Sequence, residues 1–150
     1  MDMNVEDIIK TNRAIPIESR TLIHISLVEN KINEIMAQAI KPFGISIQQF
    51  NVLRILRGQK GKPANLSTLN ERMVTKMSNT TRLVDKLILK GYVNRMVCPS
   101  NRRKVEINIT PLGESELLKI DDVIMAAEKE IVRNLSGKDL SELNHLLDKF

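Results

Sequence analysis

Apolar residues recur three or four positions apart over most of this chain and alternate with polar ones over one short stretch. Ile25, Val28, Ile32, Ile35 or Met36, and Ala39 form a stripe that predicts a first helix from about Glu18 to Lys41, stopped by Pro42. At 1.5 Å per residue it spans about 36 Å, so its extra length wants another surface to cover. Ser46 and Gln49 have capping-box spacing, and Ile45 with Phe50 that of a hydrophobic staple. A second helix therefore starts there, with Phe50, Leu53 and Leu56 or Ile55 inward and Gly58 as terminator. The polar loop Gln59 to Asn65 follows. A short third helix begins near Ser67, with Leu69 and Met73 inward. The turn Val74-Thr75-Lys76-Met77 leads to a fourth helix, about Ser78 to Leu89, whose stripe of Leu83, Val84, Leu87 and Ile88 lies behind a polar tip of Ser78, Asn79, Thr80 and Thr81. Gly91 stands where a helix ending in a left-handed residue wants it.

The alternating stretch is Val105, Ile107 and Ile109 against Lys104, Glu106 and Asn108, the period of a half-buried strand. Its hairpin partner is Tyr92 to Val97, across a turn of Cys98-Pro99-Ser100-Asn101-Arg102-Arg103, and the Gln59–Asn65 loop is placed to brush the sheet's edge. Thr110-Pro111 reads as N-cap and first residue of a fifth helix, striped by Leu117, Ile120, Ile124, Ala127, Ile131 and Leu135. Ser136 with Asp139 restarts the chain as a sixth, lined by Leu140, Leu143, Leu147 and Phe150. Before Pro16 the pattern is weak: Val5, Ile8 and Ile9 make one short turn that docks on a partner, or stay mobile.

The fold class is thus mainly α with a small β-hairpin wing: a winged helix-turn-helix head plus a helical dimerisation region. Residues 1–150 form a single domain, with the head over about 46–110 and dimerisation helices over about 18–41 and 111–150. Long amphipathic helices at both chain ends leave apolar faces uncovered, and a symmetric homodimer in which they interleave is the economical solution. The competing arrangement packs the ends on each other within one subunit.

Charge sharpens the picture. The net charge is +5, and from Arg72 to Lys104 nine basic residues face a single acid, Asp85, whereas from Glu114 to Phe150 nine acids face five bases. A polyanion would therefore meet the middle of the chain. Ser78, Asn79, Thr80 and Arg82 are the candidates for the groove of double-stranded DNA, with Asn79 suited to adenine and Arg82 to guanine or phosphate. Ser78 is also placed to cap its helix. Lys76, Lys86, Arg102, Arg103 and Lys104 read as phosphate or minor-groove contacts, the last three on a basic wing.

Arg82-Leu83-Val84-Asp85-Lys86-Leu87, then Lys90-Gly91-Tyr92-Val93, then Asn101-Arg102-Arg103 with Ile109-Thr110 and Gly113 downstream, resemble the winged helix-turn-helix of the MarR (multiple antibiotic resistance regulator) family of bacterial transcription regulators. The likeness in element order extends over about residues 18 to 150. It implies a homodimer on an inverted-repeat operator, an Asp85 that braces a wing arginine such as Arg103, and a small-molecule effector cleft lined by the first, second and fifth helices. A helix-surface pair of Asp85 with Lys86 or Lys90 is no less economical. The chain departs from the family pattern at Asn101, where aspartate is usual, at Val74 for glycine, and at Asn70 for alanine.

Little supports an enzyme. His24 and His145 stand apart from any ligand set, no glycine-rich phosphate loop or nucleophile elbow occurs, and no cofactor or metal is expected. His24 lines a ligand pocket or is an ordinary core or surface residue. No apolar run reaches the length of a membrane span, and a single cysteine fits a reducing cytoplasm. Cys98, beside basic residues that could lower its thiol pKa, is either a redox sensor or a passive turn residue. The function expected is a sequence-specific regulator, a repressor that covers promoter DNA. Its rivals are a winged-helix protein-interaction module and a redox-sensing regulator acting through Cys98.

Overall fold

The computed structural model describes residues 2–76 and 79–150. Within them the chain forms α1 (Val5–Ile8), α2 (Ile17–Ile40), α3 (Ile47–Gly58), α4 (Leu66–Arg72), α5 (Thr80–Leu89), β1 (Val93–Cys98), β2 (Asn101–Ile109), α6 (Pro111–Ile131) and α7 (Gly137–Leu147). Local chemistry sets most of these boundaries. After α2 a single 3-10 turn over Lys41–Phe43 carries Pro42, and Gly44 reverses the chain at φ 67°. The Ser46 hydroxyl accepts from the Gln49 amide at 3.1 Å while the Gln49 side chain accepts from the Ser46 amide at 2.8 Å, a full capping box. Gly58 is the last residue of α3 but not its reversal point, because the left-handed residues are Lys60 and Gly61. Asn65 caps α4 through Thr68, one residue earlier than the pattern alone suggests. α5 starts at Thr80, and Ser78, its expected first residue, lies outside the described residues.

Leu53, Leu69, Val84, Leu87, Ile107, Leu117 and Ile120 are fully buried in one core, where α3 packs on α4, α5, α6 and β2. β1 and β2 pair antiparallel from Val93↔Ile109 to Cys98↔Asn101, with a bulge at Val97/Cys98 before the tip. The loop from Gln59 does reach the sheet: Ala64 and Ile107 exchange both backbone bonds, at 3.0 and 2.6 Å.

The wing meets the stem at one crowded joint. The Thr110 hydroxyl accepts from the Gly113 amide and donates to the Gly91 carbonyl, and Gly91 turns the chain at φ 78°. Gly113 lies so close beneath β1 that an added Cβ would sit 2.2 Å from the Tyr92 carbonyl oxygen. From there α6 runs back along α2, and a bidentate Arg57–Asp121 pair ties it to α3.

The stem is only half covered. α1 docks on α2 of its own chain: Val5 is fully buried and Arg20 grips the Glu6 carboxylate at 2.7 and 3.1 Å. Leu22, Ile25 and Val28 of α2 are nevertheless exposed, α7 buries no residue, and Phe150 is 82% exposed. Packing of the ends within one subunit therefore occurs for α2 and α6, while no residue of α7 is buried. No helix among the described residues is long and apolar enough to cross a membrane.

Two outcomes follow from these joints. Gly113→Ala forces backbone apart at the Tyr92 carbonyl and should lower the unfolding free energy by about 3 kcal/mol in urea denaturation. Hydrogen bonding to Arg20 holds the Glu6 carboxyl below its ordinary value of 4.5. Its contribution is thus present above that value and lost as the pH falls through the lowered one. Protection of the amides across Val5–Ile9, taken relative to the intrinsic exchange rate at each pH, should fall in acid below the ordinary glutamate range, and in Glu6→Gln already at neutral pH.

Candidate nucleic-acid interface

α5 is divided sharply along its length. Leu83, Val84 and Leu87 are buried against the core, and Thr80 is buried with them at 4% exposure. Asn79, Thr81, Arg82, Asp85, Lys86 and Leu89 are exposed. Thr80 stands three, four and seven residues before the buried trio, so the helical period puts it on the inner face. Thr80 is therefore a correction to the groove-contact set, and Thr81 takes the outward place beside it. The spacing already contained this signal. Once inside, the Thr80 hydroxyl bonds the Asn70 side-chain oxygen. That contact gives a use to a side chain longer than alanine at position 70.

α5 is held from α3 as well. The buried Gln49 amide donates to the Leu83 carbonyl at 3.5 Å while its oxygen caps α3. Sequence reasoning saw only the cap. With ten residues α5 is about 15 Å long, enough to cross a major groove about 12 Å wide.

The wing places Arg102, Arg103 and Lys104 in the open at the start of β2. Among the described residues none of them has an acid within ion-pair distance, nor do Arg82 and Lys86. Asn101 steadies the tip without charge, its side-chain oxygen accepting from the Arg103 amide at 3.1 Å. The expected brace of Asp85 on Arg103 is corrected: Asp85 pairs with Arg95 of β1 at 3.0 Å, because the first wing strand, not its tip, runs beside α5. Nor does Asp85 pair with Lys86 or Lys90. Lys76 is exposed, yet its ammonium group is engaged by the Asn70 and Glu71 carbonyls at 2.8 and 2.7 Å.

Cys98 is half-buried, and its thiol is held below its usual pKa by the Ser100 hydroxyl, at 3.1 Å, and the Ser100 backbone amide. The expected cause, neighbouring basic side chains, is not the one that acts. An open cleft of about 690 Å³ separates stem from head, lined by Glu29, Asn33 and Ala37 of α2, Ile47 and Asn51 of α3, and Thr75 of the turn. Residues of α2 and α3 are there as anticipated, but α6 contributes none and His24 lies outside it. Among the described residues no group of His, Cys, Asp or Glu could hold a metal ion.

The arrangement offers an outward helical face of amide, hydroxyl and cationic groups beside a cationic hairpin, geometry suited to duplex phosphates and base edges. The sequence model of the MarR family matches residues 45–105, which run from the start of α3 into the wing. The multiple antibiotic resistance protein MarR of Escherichia coli (strain K12) is 26% identical over 130 residues, covering 85% of this chain and 87% of that protein. Its apo crystal structure matches with a TM-score of 0.70 over 92% of this chain and 98% of that one. The HTH-type transcriptional regulator PecS of Dickeya dadantii (strain 3937) is 26% identical over 132 residues, 86% of this chain and 76% of its own. A MarR-like transcription regulator of Bacillus cereus ATCC 10987 superposes with a TM-score of 0.80 at 26% identity, over 89% of this chain and 96% of that one. Wing signature, fold and relatives converge: over residues 45–105 the chain matches the MarR family, and its fold is that of the winged helix-turn-helix transcription regulators it resembles.

Proposed function

We propose that the protein is a cytoplasmic homodimeric repressor that binds an inverted-repeat operator and covers promoter DNA. In this reading the head, about residues 46–110, reads DNA, and the helices over about 18–41 and 111–150 join the two copies. Asn79 and Arg82 meet base edges or phosphate from the tip of α5, with Ser78 beside them. Lys86 contacts the backbone, and Arg102, Arg103 and Lys104 reach phosphates or the adjacent minor groove. The observation that carries the reading is the coincidence of two unsatisfied surfaces: the unpaired cations of α5 and wing, and the uncovered apolar face of α2 and α7. A two-fold axis through the stem would set two reading helices about 34 Å apart, one turn of duplex. The cleft between stem and head supports a small-molecule effector, which acts by binding one head spacing better than another.

The test is selection of bound sites from random duplexes, followed by salt titration on the winner. An inverted repeat should emerge, and its affinity should fall steeply with salt. Arg102→Ala with Arg103→Ala should weaken binding to every duplex and reduce the salt slope by about two. Unaltered duplex affinity in that variant would remove the wing from the interface.

The stem is tested separately by sedimentation equilibrium. The wild-type chain should give the mass of two copies, and Leu146→Lys with Leu147→Lys the mass of one.

A further inference from the structure

An α-helix leaves its last carbonyls without partners inside the helix, and a cation placed there is favoured by the helix dipole. At the end of α4 the Leu69 carbonyl is met by the Met73 amide at 3.0 Å. The next two, of Asn70 and Glu71, are met by the Lys76 ammonium group. Between them the chain leaves the helix at Met73, extended at φ −68° and ψ 132°, and Val74 stands 89% exposed. No glycine shapes this turn; Met73 anchors its start in the core, and Val74 after it is exposed.

Asn70 is gripped twice: its carbonyl by Lys76 and its side-chain oxygen by the hydroxyl of Thr80, the buried first residue of α5. Residues 70, 76 and 80 thus close a polar clasp across the turn that aims the reading helix. A lysine ammonium group has three N–H donors, and the backbone carbonyls occupy two of them. A phosphate would have to compete with two charge-assisted bonds that already complete a helix terminus.

We propose that Lys76 is a positioning residue that fixes the pose of α5 by clamping the end of α4, and that it does not neutralise a phosphate. This rests on the operator reading given above and departs from the sequence expectation that Lys76 contacts phosphate. Removing a phosphate contact flattens the salt dependence by about one and weakens all duplexes alike. Loosening the reading helix costs only the sequence-dependent part of binding, since counterion release is untouched.

The experiment compares wild type, Lys76→Met and Asn70→Ala, the last of which changes no charge. Each is titrated with the selected inverted repeat and with a random duplex across a salt series, and amide exchange is followed over Thr80–Val84. Lys76→Met should lose about tenfold affinity for the selected site, less than twofold for the random duplex, and keep its salt slope. Asn70→Ala should repeat that pattern, and both should speed exchange at the start of α5. A slope lowered by about one with equal loss on both duplexes would overturn the proposal in favour of direct phosphate contact. Unchanged discrimination and exchange would overturn it as well. Should Lys76→Met not fold, Lys76→Gln decides, since it removes the charge and keeps an N–H donor: a salt slope lowered by about one with equal loss on both duplexes overturns the proposal. A wild-type chain with no preferred duplex would instead sink the operator reading, and the exchange data would then settle alone whether the clasp holds the helix.

Discussion

The single-sided burial of α5 is the constraint from which the rest of the head takes its form. Leu83, Val84 and Leu87 leave water together, each worth about 1.5–3 kcal/mol. Rolling the helix by one residue, about 100°, would return part of that trio to solvent and put Arg82 or Asp85 in the core. Gln49 adds a directional bond to the Leu83 carbonyl, and Thr80 one to Asn70, so roll and slide are both opposed. The outward order of Asn79, Arg82 and Lys86 is therefore dictated from the inside. On the proposed function this matters, because base-edge recognition depends on which side chain enters the groove.

The same core passes the pose of the head on to the stem. α3 touches α5 on one side and α6 on the other, and the Arg57–Asp121 pair spans the second contact. The wing is seated on the first turn of α6 through Thr110, Gly113 and the Tyr92 carbonyl, with no room at Gly113 for a side chain. Head and stem meet there without slack. A change in the angle between α2 and α6 has to be carried into the head. The cleft lies where α2 and the start of α3 diverge, and Thr75 of the helix-turn-helix lines its far side. A ligand there would touch both the stem and the turn that aims α5, which is the geometry an effector of head spacing requires.

How much of this was legible beforehand depended on the range of the interaction. Caps and stripes are local, so Ser46/Gln49, Thr110–Pro111 and Ser136/Asp139 announced their helices, and the alternation around Ile107 announced the wing. The outward positions of Asn79, Arg82 and Lys86 followed from the same period. Thr80 was misplaced because its polarity was weighed above its phase; its phase matched the buried trio. The partners of Lys76, Asp85 and Cys98 were not legible. The first depends on where the chain leaves α4, the second on which part of the wing lies beside α5, the third on a rotamer at a two-residue tip. Each choice lies among several equally charged or equally polar neighbours, and only three-dimensional placement decides it. The absence of α6 from the cleft is of the same kind, since α6 spends its inner face on α2 and α3.

α7 carries the argument about assembly furthest. It has a full capping box and an apolar row at Leu143, Leu146 and Leu147, yet buries nothing. A helix of eleven residues is below the length at which helices persist alone in water, even with a good cap. Its order must then draw on a surface it covers, and among the described residues its own chain buries none of it. Leu22, Ile25 and Val28 lie bare on α2, and Phe150 stands against Ile17 and Leu22 at the edge of that face. On the proposed dimer these faces complete one another, and folding of the chain ends becomes inseparable from pairing. The separation of the two heads would then be set by the length of the stem helices and the angle at which they cross. Operator spacing, in that case, is written into the parts of the chain that never approach the duplex.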